Sequence, residues 1–237
     1  AREFIVGEER VHALRGISFT ISKGEFVAIM GTSGSGKSTL LNLLGCLDTP
    51  TSGEYLLNGV PVRQMSKNER ADLRNRNIGF VFQSYNLLPK TTALENVELP
   101  LFYNPDFSQK MRVEKSLEAL KAVGLADRVN HKSNQMSGGQ QQRVAIARAL
   151  VNDPLLILAD EATGNLDTRT SYEILSLFQK LHKEGRTLIF VTHNPEIAHF
   201  CSRKIVLRDG KIVEDSVNYK IESAKDVLDT LPPEEKI

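Results

Sequence analysis

Three stretches of the chain are apolar without interruption: Phe26–Met30, Leu155–Ala159 and Leu188–Val191. A run of this length, bounded by turn signals, reads as a strand buried on both faces, the habit of a parallel sheet covered by helices. Ile78–Phe82 is a fourth short run of the same kind and ends at Gln83. Between the runs the period changes. Ser38–Leu47 and Arg169–Lys183 predict helices, and so does the spacing of Val113, Leu117, Leu120 and Val123 ahead of Gly124. Ile17, Phe19 and Ile21 alternate with Ser18, Thr20 and Ser22, which predicts a strand exposed on one face.

Turn chemistry divides these elements. Asn58-Gly59, between Tyr55-Leu56-Leu57 and Val60-Pro61-Val62, predicts a tight hairpin, an antiparallel flap joined to the parallel sheet. Acids and bases alternate through Ser66–Arg76, as on a solvated helix face. Pro89, Pro100 and Pro105 punctuate a region of helical spacing from Ser84 to about Val151, where Thr92-Ala-Leu-Glu95 fits a capping box. The expected architecture is α/β: a core lobe over about 1–83 and 152–215, an inserted α-helical lobe over about 84–151, and a polar tail over about 216–237. The tail is expected to fray towards Pro232-Pro233-Glu-Glu-Lys.

Charge and cysteines narrow the function. Lysine plus arginine total 30 against 29 for aspartate plus glutamate, so no global field attracts nucleic acid and none is expected as a partner. Cys46 and Cys201 have neither metal spacing nor the density of a disulfide scaffold, which points to free thiols in a reducing compartment. No apolar run approaches the roughly 18 residues of a membrane span, and no signal-peptide pattern opens the chain. A cytoplasmic chain is expected, and a membrane partner remains compatible with it.

Chemistry concentrates at the ends of the buried runs. GTSGSGKST follows the first and matches the phosphate loop G-x-x-x-x-G-K-[ST]. Gly31, Gly34 and Gly36 let the backbone wrap a phosphate, with Thr32, Ser33 and Ser35 between them. Lys37 neutralises the β and γ phosphates, and Ser38, followed by Thr39, offers a hydroxyl to Mg²⁺. Asp160 and Glu161 end the second run at the ligand edge of an open α/β sheet. There Asp160 would hold the Mg²⁺ shell, and Glu161 could accept a proton from water attacking the γ phosphate. His193 follows the third run, and Gln83 the fourth; alone, the first reads as a structural histidine and the second as a loop glutamine. Beside a phosphate loop, His193 can orient the attacking water and Gln83 can reach metal and water.

One segment resists an ordinary reading. In MSGGQQQRVAIARAL, Met136–Leu150, Ser137 and Gln140 fit a capping box, yet Gly138 and Gly139 each cost a helix about 1 kcal/mol relative to alanine. Bare backbone at a helix N-terminus suits a phosphate.

The order GTSGSGKS, FVFQ, MSGGQ, LLILADE, GNLD and VTH resembles the ATP-binding subunits of ABC transporters over nearly the whole chain, a P-loop NTPase fold. The resemblance implies a Mg²⁺-dependent ATPase whose two copies pack head to tail and share each ATP. Ser137, Gly138, Gly139 and Gln140 would then meet the γ phosphate held by Lys37 of the second copy, and Asp167 would lie at that interface. Gln83 and His193 would sense the γ phosphate, Glu161 would be the base, and Phe4 would stack on adenine. The first edge strand usual in the family is not found ahead of Phe4. GCLDTPTSG, YNLLPKTTALENVELPL and SGGQQQRVAIARAL resemble in particular the macrolide-exporter and lipoprotein-releasing group. Thr32, Ala162 and Met136 depart from the residues usual there without removing a reacting group. The resemblance implies an integral membrane permease as partner, met through Tyr85, Leu87, Leu88 and Leu101, with the chain peripheral on the cytoplasmic face. A cell-division ATPase of the same group, which regulates a cell-envelope complex without transport, is the alternative.

Overall fold

The computed structural model describes residues 1–232. The chain opens with a hairpin of β1 (Arg2–Val6) and β2 (Glu9–Leu14), then β3 (Phe26–Gly31) runs into the glycine loop and α1 (Lys37–Leu44). A small hairpin of β4 (Leu56–Leu57) and β5 (Val60–Pro61), α2 (Lys67–Asn77) and β6 (Ile78–Phe82) follow. Next come α3 (Ala93–Glu98), α4 (Gln109–Ala122) and α5 (Gly138–Leu150), with short 3-10 turns between them. The last part holds β7 (Leu156–Asp160), α6 (Thr168–Lys183), β8 (Thr187–Thr192), β9 (Arg203–Arg208), β10 (Lys211–Val217) and α7 (Ala224–Thr230).

Six strands form one sheet in the order β10-β9-β3-β8-β7-β6, all neighbours parallel except the antiparallel edge strand β10. The uninterrupted apolar runs sit in its middle, where both faces must be covered, and their side chains divide by period two. Phe26, Ala28, Ile157, Leu188 and Phe190 join a core shared with α3–α6, while Val27, Ile29, Leu158, Ile189 and Val191 join a second core with α1. Each fully buried side chain of this size contributes roughly 1.5–3 kcal/mol. Capping boxes start α2 at Ser66 and Glu69, and α3 at Thr92 and Glu95.

Three expectations change. Ile17–Ser22 keeps its alternation, with Ile17, Phe19 and Ile21 packed on the second core, but pairs with no strand; burial alone enforces the period. The Asn58-Gly59 hairpin forms with Asn58 at φ 50°, yet as a two-stranded sheet of its own. Phe4 itself lies within β1, opposite Val11, in a two-stranded sheet that β1 and β2 form apart from the main one. The tail is more ordered than its polarity predicts. Gln179 donates to Phe200 O and Glu222 O and accepts from Ala224 N–H, Asn218 donates to His199 O and Cys201 O, and Ala224 is fully buried. The fraying expected at Pro233-Glu-Glu-Lys lies outside the described residues.

Cys46 and Cys201 are free and buried; burial pushes the Cys46 thiol up to about 11, although Arg74 and Arg70 lower it. No helix among the described residues is long and apolar enough to cross a membrane.

Candidate functional site

Parallel register brings the ends of the predicted strands to one edge. Phe82 pairs with Asp160, Asp160 with Val191, and Met30 with Thr192, so Gln83, Glu161, His193 and the glycine loop follow neighbouring positions. Sequence separations of up to about 160 residues collapse here because strand ends, rather than chain neighbours, define the edge.

The glycine loop is built tightly. Gly31 has φ 156°, and a Cβ there would lie 2.4 Å from Leu207 O and from Ser35 Oγ; Gly36 has φ 104°, and its Cβ would lie 2.7 Å from Ala13 O. Lys37 Nζ donates to Gly31 O at 2.7 Å and to Thr32 O at 2.9 Å. No side chain caps α1, in contrast to the boxes on α2, α3 and α5, so its first-turn N–H groups at Lys37, Ser38 and Thr39 are left for a ligand. Thr32, Ser33, Gly34 and Ser38 are exposed, whereas Ser35 is buried, its N–H on Thr32 O and its carbonyl accepting from Gly210. These features fit the phosphates of a nucleotide.

Asp160 and Glu161 diverge in environment. Burial, and then the Glu161 carboxylate, pushes the Asp160 carboxyl up from its ordinary value, against the pull of Lys37. A hard cation taking oxygen ligands would relieve that strain, and Ser38 and Asp160 are suitable donors. No cluster of three or more His, Cys, Asp or Glu able to hold a metal occurs among the described residues, so such a cation would rely on the substrate's phosphates as well. Glu161 stands in the left-handed region at φ 46°, and its Oε1 lies 2.6 Å from His193 Nδ1. Backbone strain of this kind persists only where the surroundings fix it; here Glu161 N–H donates to Val191 O, and Gly164 N–H donates to Glu161 O.

Gln83 does not face Glu161 directly. Its Nε2 donates to Asn165 Oδ1 at 3.0 Å, and Asn165 returns a bond to Gln83 O. Asp167, two residues on, caps α6 by accepting from Thr170 N–H, and the Thr170 hydrogen bonds hold its carboxyl below the ordinary value. Phe4 is half-exposed beneath the Arg2 guanidinium, 4.5 Å from its ring centroid, on the hairpin whose second strand abuts Gly36 at Ala13.

The second phosphate-like terminus is as the motif predicts in its caps: Ser137 Oγ accepts from Gln140 N–H, and Gln140 Oε1 accepts from Ser137 N–H. The glycines have a further reason within the chain. A Cβ at Gly138 would lie 2.8 Å from the Tyr85 hydroxyl, and one at Gly139 would lie 2.5 Å from Thr170 Cγ2.

Among the four residues expected to meet a membrane partner, Leu101 is fully buried, directed into the core by the 3-10 turn after α3, and Leu87, in the loop before α3, is partly buried against the same core. Tyr85 is half-buried against Gly138, and Leu88 is exposed. Sequence reasoning missed Asn165, inside the quoted GNLD, and Gln142, a fully buried amide donating to Ala162 O at 2.6 Å. A polar residue at an apolar helix position was the available signal for Gln142.

Residues 14–164 match the sequence pattern of the ABC transporter family. The chain is 59% identical over 207 residues to an uncharacterized ABC transporter ATP-binding protein of Thermotoga maritima, covering 87% of this chain and 88% of that one. It is 50% identical over 229 residues to the macrolide export ATP-binding/permease protein MacB of Chlorobium phaeobacteroides, covering 95% of this chain and 34% of MacB. Its fold matches that of the ATP-binding cassette MJ0796, in a dimeric post-hydrolysis state bound to ADP and Pi, with a TM-score of 0.82 and 47% identity over 91% of this chain and 95% of that one. The glycine loop, the acidic strand end and these likenesses agree: the chain belongs to the ABC transporter family, as an ATP-binding, ATP-hydrolysing subunit.

Proposed function

We propose that the chain closes head to tail with a second copy on two ATP molecules, and that closure and reopening drive an integral membrane permease from the cytoplasmic face of the cell membrane. The observation that carries this reading is that one chain presents two helix starts suited to phosphate: α1 behind the glycine loop and α5 behind Ser137. The dimeric state of the cassette MJ0796 supports it.

Gly31–Thr39 holds the β and γ phosphates, with Lys37 moving from Gly31 O and Thr32 O onto them. Ser38 and Asp160, with Gln83, would hold Mg²⁺, which would supply neutralisation of the phosphate charge. Water attacks the γ phosphorus in line, its proton passes to Glu161, and ADP leaves. His193 Nδ1 lies 2.6 Å from Glu161 Oε1, which leaves Nε2 as the ring nitrogen to meet the γ phosphate. Ser137, Gly138, Gly139 and Gln140 meet the γ phosphate bound to the second copy, Asp167 lies at the same interface, and Phe4 stacks on adenine.

The core lobe, about 1–83 and 152–215, carries the first half-site, and the helical lobe, about 84–151, the second. A groove of about 770 Å³ lined by Asp72, Asn75, Phe80, Phe82, Tyr103 and Arg148 takes the permease's cytoplasmic segment, in place of the buried Leu101.

The test is sizing of the Glu161→Gln variant with and without Mg²⁺-ATP. A nucleotide-dependent doubling of mass is expected; a chain that binds ATP and stays monomeric at every concentration overturns the reading.

A further inference from the structure

Immediately after Gln83 the backbone makes a turn that its sequence does not favour. Tyr85 and Asn86 both lie in the left-handed region, at φ 59° and 50°, and Asn86 N–H reaches Ser84 O at 2.5 Å. Asparagine tolerates this conformation; a bulky tyrosine seldom adopts it, and two such residues in succession persist only where something fixes them.

Arg148, in the last turn of α5, is what fixes them. Its Nη2 donates to Tyr85 O at 2.8 Å and its Nη1 to Asn86 O at 2.6 Å. The guanidinium is half-buried, and among the described residues it makes no salt bridge, so its planar fork serves two backbone carbonyls. At the other end of α5, the Tyr85 hydroxyl occupies the space beside Gly138, where a Cβ would lie 2.8 Å from it; Gly138 is the second residue of Ser137-Gly138-Gly139. The turn after Gln83 is therefore gripped at both ends of one helix. Gln142, between those ends, holds the carbonyl of Ala162, the residue after Glu161.

We infer that Arg148 is a positioning residue that joins the Gln83 turn to α5, so that Gln83 meeting the γ phosphate and Ser137–Gly139 advancing on the second copy are one event. This rests on the reading of Gln83 and Ser137 proposed above. Lysine carries the same charge on one nitrogen and a freely rotating stem, without the planar fork whose two nitrogens meet the two carbonyls separately, so it holds the turn less rigidly.

The experiment is a double-mutant cycle on the full chain, reading kcat and KM for Mg²⁺-ATP in the wild type, Arg148→Lys, Gln83→Ala and the double variant. Arg148→Lys is expected to lower kcat about tenfold, within the range by which coupling residues act, with KM for ATP unchanged. Gln83→Ala should then cost much less in the Arg148→Lys chain than in the wild type, because the two lose the same linkage. Asn86→Gly, which eases one of the two left-handed residues while Tyr85 stays in place, should restore part of the kcat lost in Arg148→Lys. Where Arg148→Lys alone does not fold, the cycle is run in the Asn86→Gly chain. Wild-type kcat in Arg148→Lys, or losses that simply multiply, overturns the inference while leaving the site reading intact. Wild-type kcat in Gln83→Ala overturns the reading of Gln83, and the inference with it.

Discussion

Glu161 and His193 lie 32 residues apart in the chain and 2.6 Å apart in space, and Asp160, next to Glu161, sits in different surroundings, its carboxyl pushed up by burial. As general base, Glu161 is tested by Glu161→Gln, which keeps the side chain's shape and removes its basicity. Phosphate release should fall by about two to four orders of magnitude while ATP binding persists. Asp160 gives a prediction of opposite sign for stability. Burial and the Glu161 charge raise its pKa in the folded chain. The folded state therefore holds the proton more tightly than the unfolded state does, and stability from this group is present at low pH and lost as pH rises through the folded value. Asp160→Asn should raise the melting temperature of the nucleotide-free chain at neutral pH, by less at mildly acid pH, and should abolish Mg²⁺-dependent turnover. Unchanged melting at neutral pH would show that the charge is not a burden there.

At the scale of elements, α5 has two roles. Its capping box makes it a well-started helix, and its first-turn glycines let Tyr85 and Thr170 approach its backbone. Gly139→Ala places a methyl 2.5 Å from Thr170 Cγ2, an overpacked contact expected to cost about 1–3 kcal/mol in denaturant unfolding. Thr170→Ser removes that methyl and retains the backbone N–H that Asp167 caps, so the pair should recover most of the loss. Recovery would assign the glycine to α5–α6 packing as well as to phosphate; none would leave the packing account without support.

For the whole molecule, the two phosphate-suited termini matter only if they meet across two copies. Ser137→Arg, placed in the Glu161→Gln chain, should leave ATP affinity of the monomer nearly intact and abolish the ATP-dependent dimer seen by sizing. A large loss of affinity in the monomer would mean that α5 serves the nucleotide of its own chain.

Much of this was legible in order. Phe26–Met30, Leu156–Ala159 and Leu188–Val191 are apolar on both faces, so their burial in a parallel sheet follows from hydrophobicity alone, although Leu155, the first residue of its apolar run, stays exposed outside the strand. The caps at Thr92 and Ser137 were equally readable, because a capping box is closed within four residues. Ile17–Ser22 shows the limit: its period reports burial, whereas strand pairing depends on a partner elsewhere. The same holds for Leu101, whose burial depends on the turn after α3, and for the ordering of residues 218–224 by Gln179. The sequence by itself determined the buried central strands, the capped helices, the phosphate loop and the catalytic candidates, since those rest on local propensity, periodicity and spacing. Only the tertiary structure decided that Gln83 is tied to Asn165, that Arg148 holds the turn behind it, and that Gly138 and Gly139 also admit Tyr85 and Thr170. Those contacts join residues distant in the chain, and no local pattern encodes them.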